Sequence, residues 1–354
     1  MTPSLFPTLP LLLLSLTALA TPWDSSNAPS RFTPPEAPYE TRFEALPLSG
    51  SSDLSQLPWS ETYWPSNEGS INIRWNAPGR PGFGLPSPTL DELRKMGPAE
   101  VAQLSATEKY DIYRGRYDYP LKKLVASTDA RPNAPDWAGI CDGWTVAAIE
   151  YREPRAVTRV NPDGIVVPFG ASDIKGLMSY TAARQNLDSI VIGRYCPFGI
   201  RLGFPNCRDL NPGSYHVILG NEIGLRHQAF PGDIEPGREI WNQPLIGYEF
   251  EVLGSALTRR APTALHIRSK LHYVDELPSP RFEPVTGTSN WLSDVQVSEY
   301  ILELDESGRI TGGDWLTKYR HPDIFWRPTR KIAFSGEFTQ LPELYEPVEP
   351  AHHR

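Results

Sequence analysis

The 354-residue chain is poor in sulfur, with three cysteines and three methionines. So few cysteines cannot build the disulfide framework that replaces a hydrophobic core in small exported domains. The chain also lacks Cys-x-x-Cys, His-Glu-x-x-His and an EF-hand loop, the usual sequence signatures of zinc and calcium sites. Positive charge is in deficit: the net charge of −8 leaves no basic footprint for nucleic acid or anionic lipid. Beyond the N-terminal stretch no apolar run approaches the roughly 20 residues of a membrane-spanning helix. No internal repeat is present, and helical and strand patterns do not alternate as βαβ units. That argues against a doubly wound sheet.

What is abundant is proline, at 37 residues, together with ten tryptophans. The combination suits a loop-rich globular enzyme or binding protein and not a long helical bundle. Residues 1–20 hold no charged side chain, and the apolar run Leu9–Ala20 ends in Ala18-Leu-Ala20. This reads as a signal peptide cleaved after Ala20, giving a secreted or periplasmic protein with no membrane attachment after cleavage. Residues 21–56 are rich in Pro and Ser and read as a mobile lead-in or a prosegment draped on the body. A catalytic domain is expected over 57–340 and a tail over 341–354.

Within that domain, Thr89-Leu-Asp-Glu92 and Ser105-Ala-Thr-Glu108 are capping boxes that open helices. Trp144–Tyr151 reads as a helix, Gly164–Gly170 as a short strand and turn, and Ser172 or Asp173 as the cap of a helix reaching Arg184. From Gly213 onward the pattern favours strands: Ser214–Leu219, Ile240–Val252, Ala264–Val274 and Ser298–Leu304, the last entering the turn Asp305-Glu-Ser-Gly308. Helices first and antiparallel strands later make an α+β chain in one large domain.

Cys196 and Cys207 lie close together in a Pro/Gly/Asn-rich stretch, and a bridge is expected there, worth roughly 2–3 kcal/mol by chain entropy. Cys141 is then left unpaired, in Trp137-Ala-Gly-Ile-Cys-Asp-Gly-Trp144. A thiol at the start of a helix is acidified by the macrodipole, and small residues following it can pack behind it. A thiol nucleophile needs a base. His216 is the expected candidate: on a strand Gly213–Gly220 it would face the helix N-terminus, as in papain-type thiol enzymes. The acid behind it is Asp173 or Asp233, which spacing does not separate.

Several motifs also resemble one family, the transglutaminase elicitors of oomycetes and their bacterial relatives. The sharpest is Ile240-Trp-Asn-Gln-Pro-Leu-Ile-Gly-Tyr248, similar to the short surface segment for which that family is named. Collinear with it are Tyr63-Trp-Pro65, Glu108–Pro120, Gly143-Trp144, Asp173-Ile-Lys175, Asn211-Pro-Gly-Ser-Tyr-His216, Gly312-Gly-Asp-Trp315 and His321-Pro-Asp-Ile-Phe-Trp326. The resemblance covers residues 57–328. It implies a papain/transglutaminase-like thiol-enzyme domain that joins protein glutamine to lysine through a Cys141 thioester. His216 would be the base and Asp173 its orienting acid. No cofactor is required by the sequence, and calcium enters only by analogy with animal transglutaminases. The partners implied are proteins presenting Gln and Lys. Two other readings stay open: a thiol hydrolase using the same residues, and a non-catalytic elicitor with Trp241–Tyr248 as an exposed ligand.

Overall fold

The computed structural model describes residues 21–33, 37–185, 187–194, 209–259 and 261–349. The expected signal peptide and the Cys196–Cys207 bridge fall outside these residues. The first half is helical: α1 (Leu90–Leu93), α2 (Pro98–Val101), α3 (Ala106–Tyr113), α4 (Pro120–Thr128), α5 (Cys141–Glu150) and α6 (Ala171–Arg184). Both expected capping boxes form, Thr89 with Glu92 ahead of α1 and Ser105 with Glu108 ahead of α3. The N-cap of α6 is Gly170 rather than Ser172 or Asp173; Asp173 sits three residues in and reaches back to the Gly170 N–H.

The second half is an antiparallel sheet. Its long meander is β7 (Asn242–Ala256), β8 (Thr263–Val274), β9 (Ser293–Leu304) and β10 (Ile310–Trp315). On the other flank of β7 lie β6 (Phe230–Asp233), β11 (Ile324–Pro328) and β5 (Ser189–Gly193), in that order. The early segment contributes β1 (Thr21–Pro22) against β10 and β2 (Ser49–Ser51) against β7. Between its strands Phe32 is fully buried, so this segment is draped on the sheet half and does not hang free. A separate hairpin joins β3 (Val157–Val160) to β4 (Val166–Phe169). The packed body also runs past residue 340, because Leu341 and Leu344 are fully buried in the helical core.

One expected strand is a helix. Pro212–Leu219 forms α7, with Asn211 capping the Gly213 N–H and Pro212 in the first turn. All eight residues are buried. A helix that is apolar all round shows no face, so its periodicity resembles that of a buried strand. The Asn-Pro start is the local signal that decides it.

Two apolar cores result. One gathers α1–α6 with Trp59, Trp64 and Trp75; the other lies between α7 and the sheet, around Tyr215, Phe250, Tyr300 and Trp315. Helices α5 and α6 approach closely at Gly143, where a Cβ would stand 2.1 Å from the Ser179 carbonyl oxygen. That contact sets α5 firmly in the helical half while its N-terminus meets the start of β7.

Candidate active site

Cys141 is the first residue of α5 and is a buried, free thiol. Its Sγ donates to the Ile240 carbonyl at 3.7 Å and receives the Asn242 side-chain amide at 3.7 Å. Asn242 is held from two more sides: Thr145 Oγ1 donates to its carbonyl at 2.9 Å, and Trp326 Nε1 donates to its Oδ1 at 2.6 Å. Next to it, Gln243 donates to Glu276 at 2.5 Å. Tyr63 and Trp241, both half-buried, meet edge to face with ring centroids 5.2 Å apart beside this group.

Burial pushes the Cys141 thiol up to about 12, and the Asp142 charge adds to the rise; hydrogen bonds from Asn242 oppose it. In this conformation the sulfur is a neutral thiol at pH 7, donating to a carbonyl. The helix N-terminus alone does not offset the loss of hydration. Glu276 is pushed up to about 8, first by burial and then by its neighbour Asp275.

His216 is not on a strand and does not reach this site. It lies on α7 in the sheet-side core, with its ring stacked on Phe250 at 4.0 Å and Nδ1 hydrogen-bonded to the Tyr300 hydroxyl at 2.8 Å. Its Nε2 is buried with no hydrogen-bond partner among the described residues, and burial pushes the imidazole down to about 3. Cys141 contacts Asn242, whereas His216 stacks on Phe250, eight residues along β7 and roughly 26 Å of extended chain away.

Asp173 belongs to a third place. It accepts from Lys109 Nζ, from Trp75 Nε1 at 2.9 Å and from the Gly170 N–H at 2.7 Å, all within the helical half. Its carboxylate is a buried ion-pair partner and helix cap. The other expected acid, Asp233, lies nearer the thiol: it pairs with Asn242 across β6–β7 and accepts from the Trp241 N–H at 2.9 Å. Neither Asp173 nor Asp233 hydrogen-bonds to His216. The Cys141–His216–Asp173 grouping is therefore three separate environments.

Sequence reasoning missed Asn242, Trp326 and Glu276 as neighbours of the thiol. The first two stand inside motifs already singled out, Trp241-Asn-Gln-Pro244 and His321–Trp326. As strings these motifs mark only the family, because nothing local says which way a strand faces. The segment expected as an exposed ligand is interior: Asn242, Gln243, Pro244, Leu245, Gly247 and Tyr248 are buried. A cleft of about 870 Å³ lies elsewhere, lined by Asp53, Arg226, His227, Lys331 and, at the far end of α5, by Glu150. Among the described residues no three His, Cys, Asp or Glu side chains are arranged to hold a metal ion. None of the described helices is long and apolar enough to cross a membrane.

The architecture is that of a transglutaminase fold. It matches the crystal structure of the GP42 transglutaminase from Phytophthora sojae with a TM-score of 0.68, over 92% of this chain and 97% of that one, at 21% identity. The transglutaminase elicitor family model matches residues 126–276 and 258–340, more than half of the sequence. The chain belongs to the transglutaminase elicitor family. No curated protein matches it.

Proposed function

We propose that the protein is a secreted acyltransferase that joins protein-bound glutamine to lysine, with Cys141 as the nucleophile. The observation carrying this reading is the thiol itself. It is the first residue of a helix, with a polar amide on its sulfur and a half-buried aromatic pair alongside, in a chain of the transglutaminase elicitor family. The thiolate attacks the γ-carboxamide carbon; the C–N bond breaks, and the proton lost from sulfur leaves on ammonia. A lysine amine then displaces sulfur from the thioester, forming the isopeptide and restoring the thiol.

The sulfur is buried against the Ile240 carbonyl, so reaction requires the turn between β6 and β7 to lift. We assign proton exchange with the sulfur to Glu276 in place of His216: it holds Gln243, the neighbour of the Asn242 that touches Sγ, and its carboxyl, raised to about 8, accepts a proton once ionised. Excluding water beside the aromatic pair lets an amine compete with hydrolysis.

The test is incubation with a glutamine-donor peptide and a fluorescent primary amine. Amine incorporation that disappears in Cys141→Ala, and falls at least about tenfold in Glu276→Gln, is expected. Ammonia release without amine incorporation would make the protein a thiol hydrolase. Elicitor activity that survives Cys141→Ala, with no turnover of either kind, would make it a non-catalytic recognition protein.

A further inference from the structure

Asn242 meets α5 twice. Its main-chain carbonyl accepts from Thr145, and its side-chain amide donates to Cys141. Cys141 and Thr145 are four residues apart and share one face of α5. The start of β7 is thereby fixed against the first turn of the helix by a single residue.

The orientation of the Asn242 amide follows from Trp326. An indole N–H can only donate. The Asn242 atom 2.6 Å from Trp326 Nε1 is therefore the carbonyl oxygen, and the NH₂ group is the one turned to the sulfur. With the amide reversed, an NH₂ group would face the indole N–H, donor against donor. Trp326 comes from β11, two strands away in the sheet, so its contact is set by register and not by chain proximity.

The sulfur thus has one acceptor, the Ile240 carbonyl, and one donor side chain, Asn242. When the thiol loses its proton, the bond to Ile240 is lost. The bond from Asn242 then becomes charge-assisted and strengthens.

We propose that Asn242 is a catalytic residue, its side-chain amide holding the Cys141 sulfur as the anion, and that Trp326 is the positioning residue that aims this amide. The assignment rests on the acyl-transfer reading above. Burial and the Asp142 charge disfavour the thiolate, and the named hydrogen bonds that favour it come from Asn242.

Two variants remove the interaction without opening the site. Asn242→Leu keeps the volume and loses the donor; Trp326→Phe keeps a ring and frees the amide to turn. In the full chain, the rate of iodoacetamide addition to the Cys141 peptide is read by mass spectrometry between pH 7 and 10, and amine incorporation is measured in parallel. Asn242→Leu is expected to slow alkylation about tenfold at each pH, one pKa unit. It should lower kcat about 10- to 100-fold with KM nearly unchanged. Trp326→Phe should produce a smaller loss in the same direction. The double variant should be no slower than Asn242→Leu alone, because Trp326 acts through Asn242. Unchanged alkylation in a folded Asn242→Leu, or additive losses in the double variant, would overturn the proposal. Slower alkylation with no amine incorporation by the parent protein would sink the acyl-transfer reading and leave the sulfur–amide assignment standing.

Discussion

The two cores treat buried charge in opposite ways. In the helical half, charged side chains are buried with partners. Lys175 Nζ lies 2.8 Å from Glu153 and 3.1 Å from Glu61, and also donates to the Ser60 carbonyl at 2.9 Å. Those carboxylates take further donors, Ser172 and Thr62 on Glu61, and the Val285 and Thr286 amides on Glu153. In the sheet half Glu222 still pairs with Arg226, but two titratable groups are buried without an opposite charge. His216 is sandwiched among aromatic rings, and Asp323 is fully buried beside Asp233 with no cation on its carboxyl among the described residues. The first arrangement holds ions by pairing; the second stays stable only by keeping its groups neutral. The thiol sits where the two meet, and it follows the second rule.

The largest effect should come from breaking a pair in the helical half. Lys175→Met leaves Glu61 and Glu153 as buried carboxylates without their cation. A loss of about 3–5 kcal/mol in urea unfolding is expected. A loss under about 1 kcal/mol would mean that the pairing contributes little.

A change in the opposite direction is expected for Asp323→Asn. Burial and the charges of Asp233, Asp209 and Glu235 raise the Asp323 carboxyl well above its unfolded value near 3.9. A raised pKa contributes stability that is complete below the unfolded value and lost as pH rises through the folded one. Asp323→Asn keeps the neutral shape and should stabilise the protein by roughly 1–3 kcal/mol at alkaline pH. The gain should vanish near pH 4. Thermal unfolding at both pH values checks this; a constant difference would contradict it.

The smallest effect is expected at His216. Burial depresses its imidazole to about 3, against about 6.5 in the unfolded chain. Its contribution is present above 6.5 and declines as pH falls from there towards 3. His216→Phe should therefore cost about 1 kcal/mol at pH 7, for the lost Tyr300 hydrogen bond, and remove part of the acid destabilisation. Cys141 alkylation should be unchanged. A tenfold slower alkylation would place His216 at the thiol and break the contrast between the two cores.

Much of the fold was legible because it is locally encoded. Thr89 and Ser105 meet their capping partners three residues on, and β7, β8 and β9 overlap the expected runs. What failed was whatever lacked a local signal. Ser214–Leu219 is buried on every side, so its pattern carries no information about helix or strand. With that element went the placement of His216, whose facing direction had been deduced from a strand that is not there. Asp173 is not the N-cap of α6 but its third residue, and the Gly170 N–H, Lys109 and Trp75 occupy its carboxylate.

The sequence by itself determined the starts of α1 and α3, the meander of long strands, the free cysteine at the head of α5 and the family to which the chain belongs. These depend on contacts within a few residues or on motifs that survive as strings. Tertiary structure alone decided what faces the thiol. Asn242, Trp326 and Glu276 come from three different strands or their ends, and strand register brings them to one helix terminus. The same packing buries the Trp241–Tyr248 segment. It also keeps Cys141 protonated, because removing water from a sulfur costs more than a helix end and one amide return.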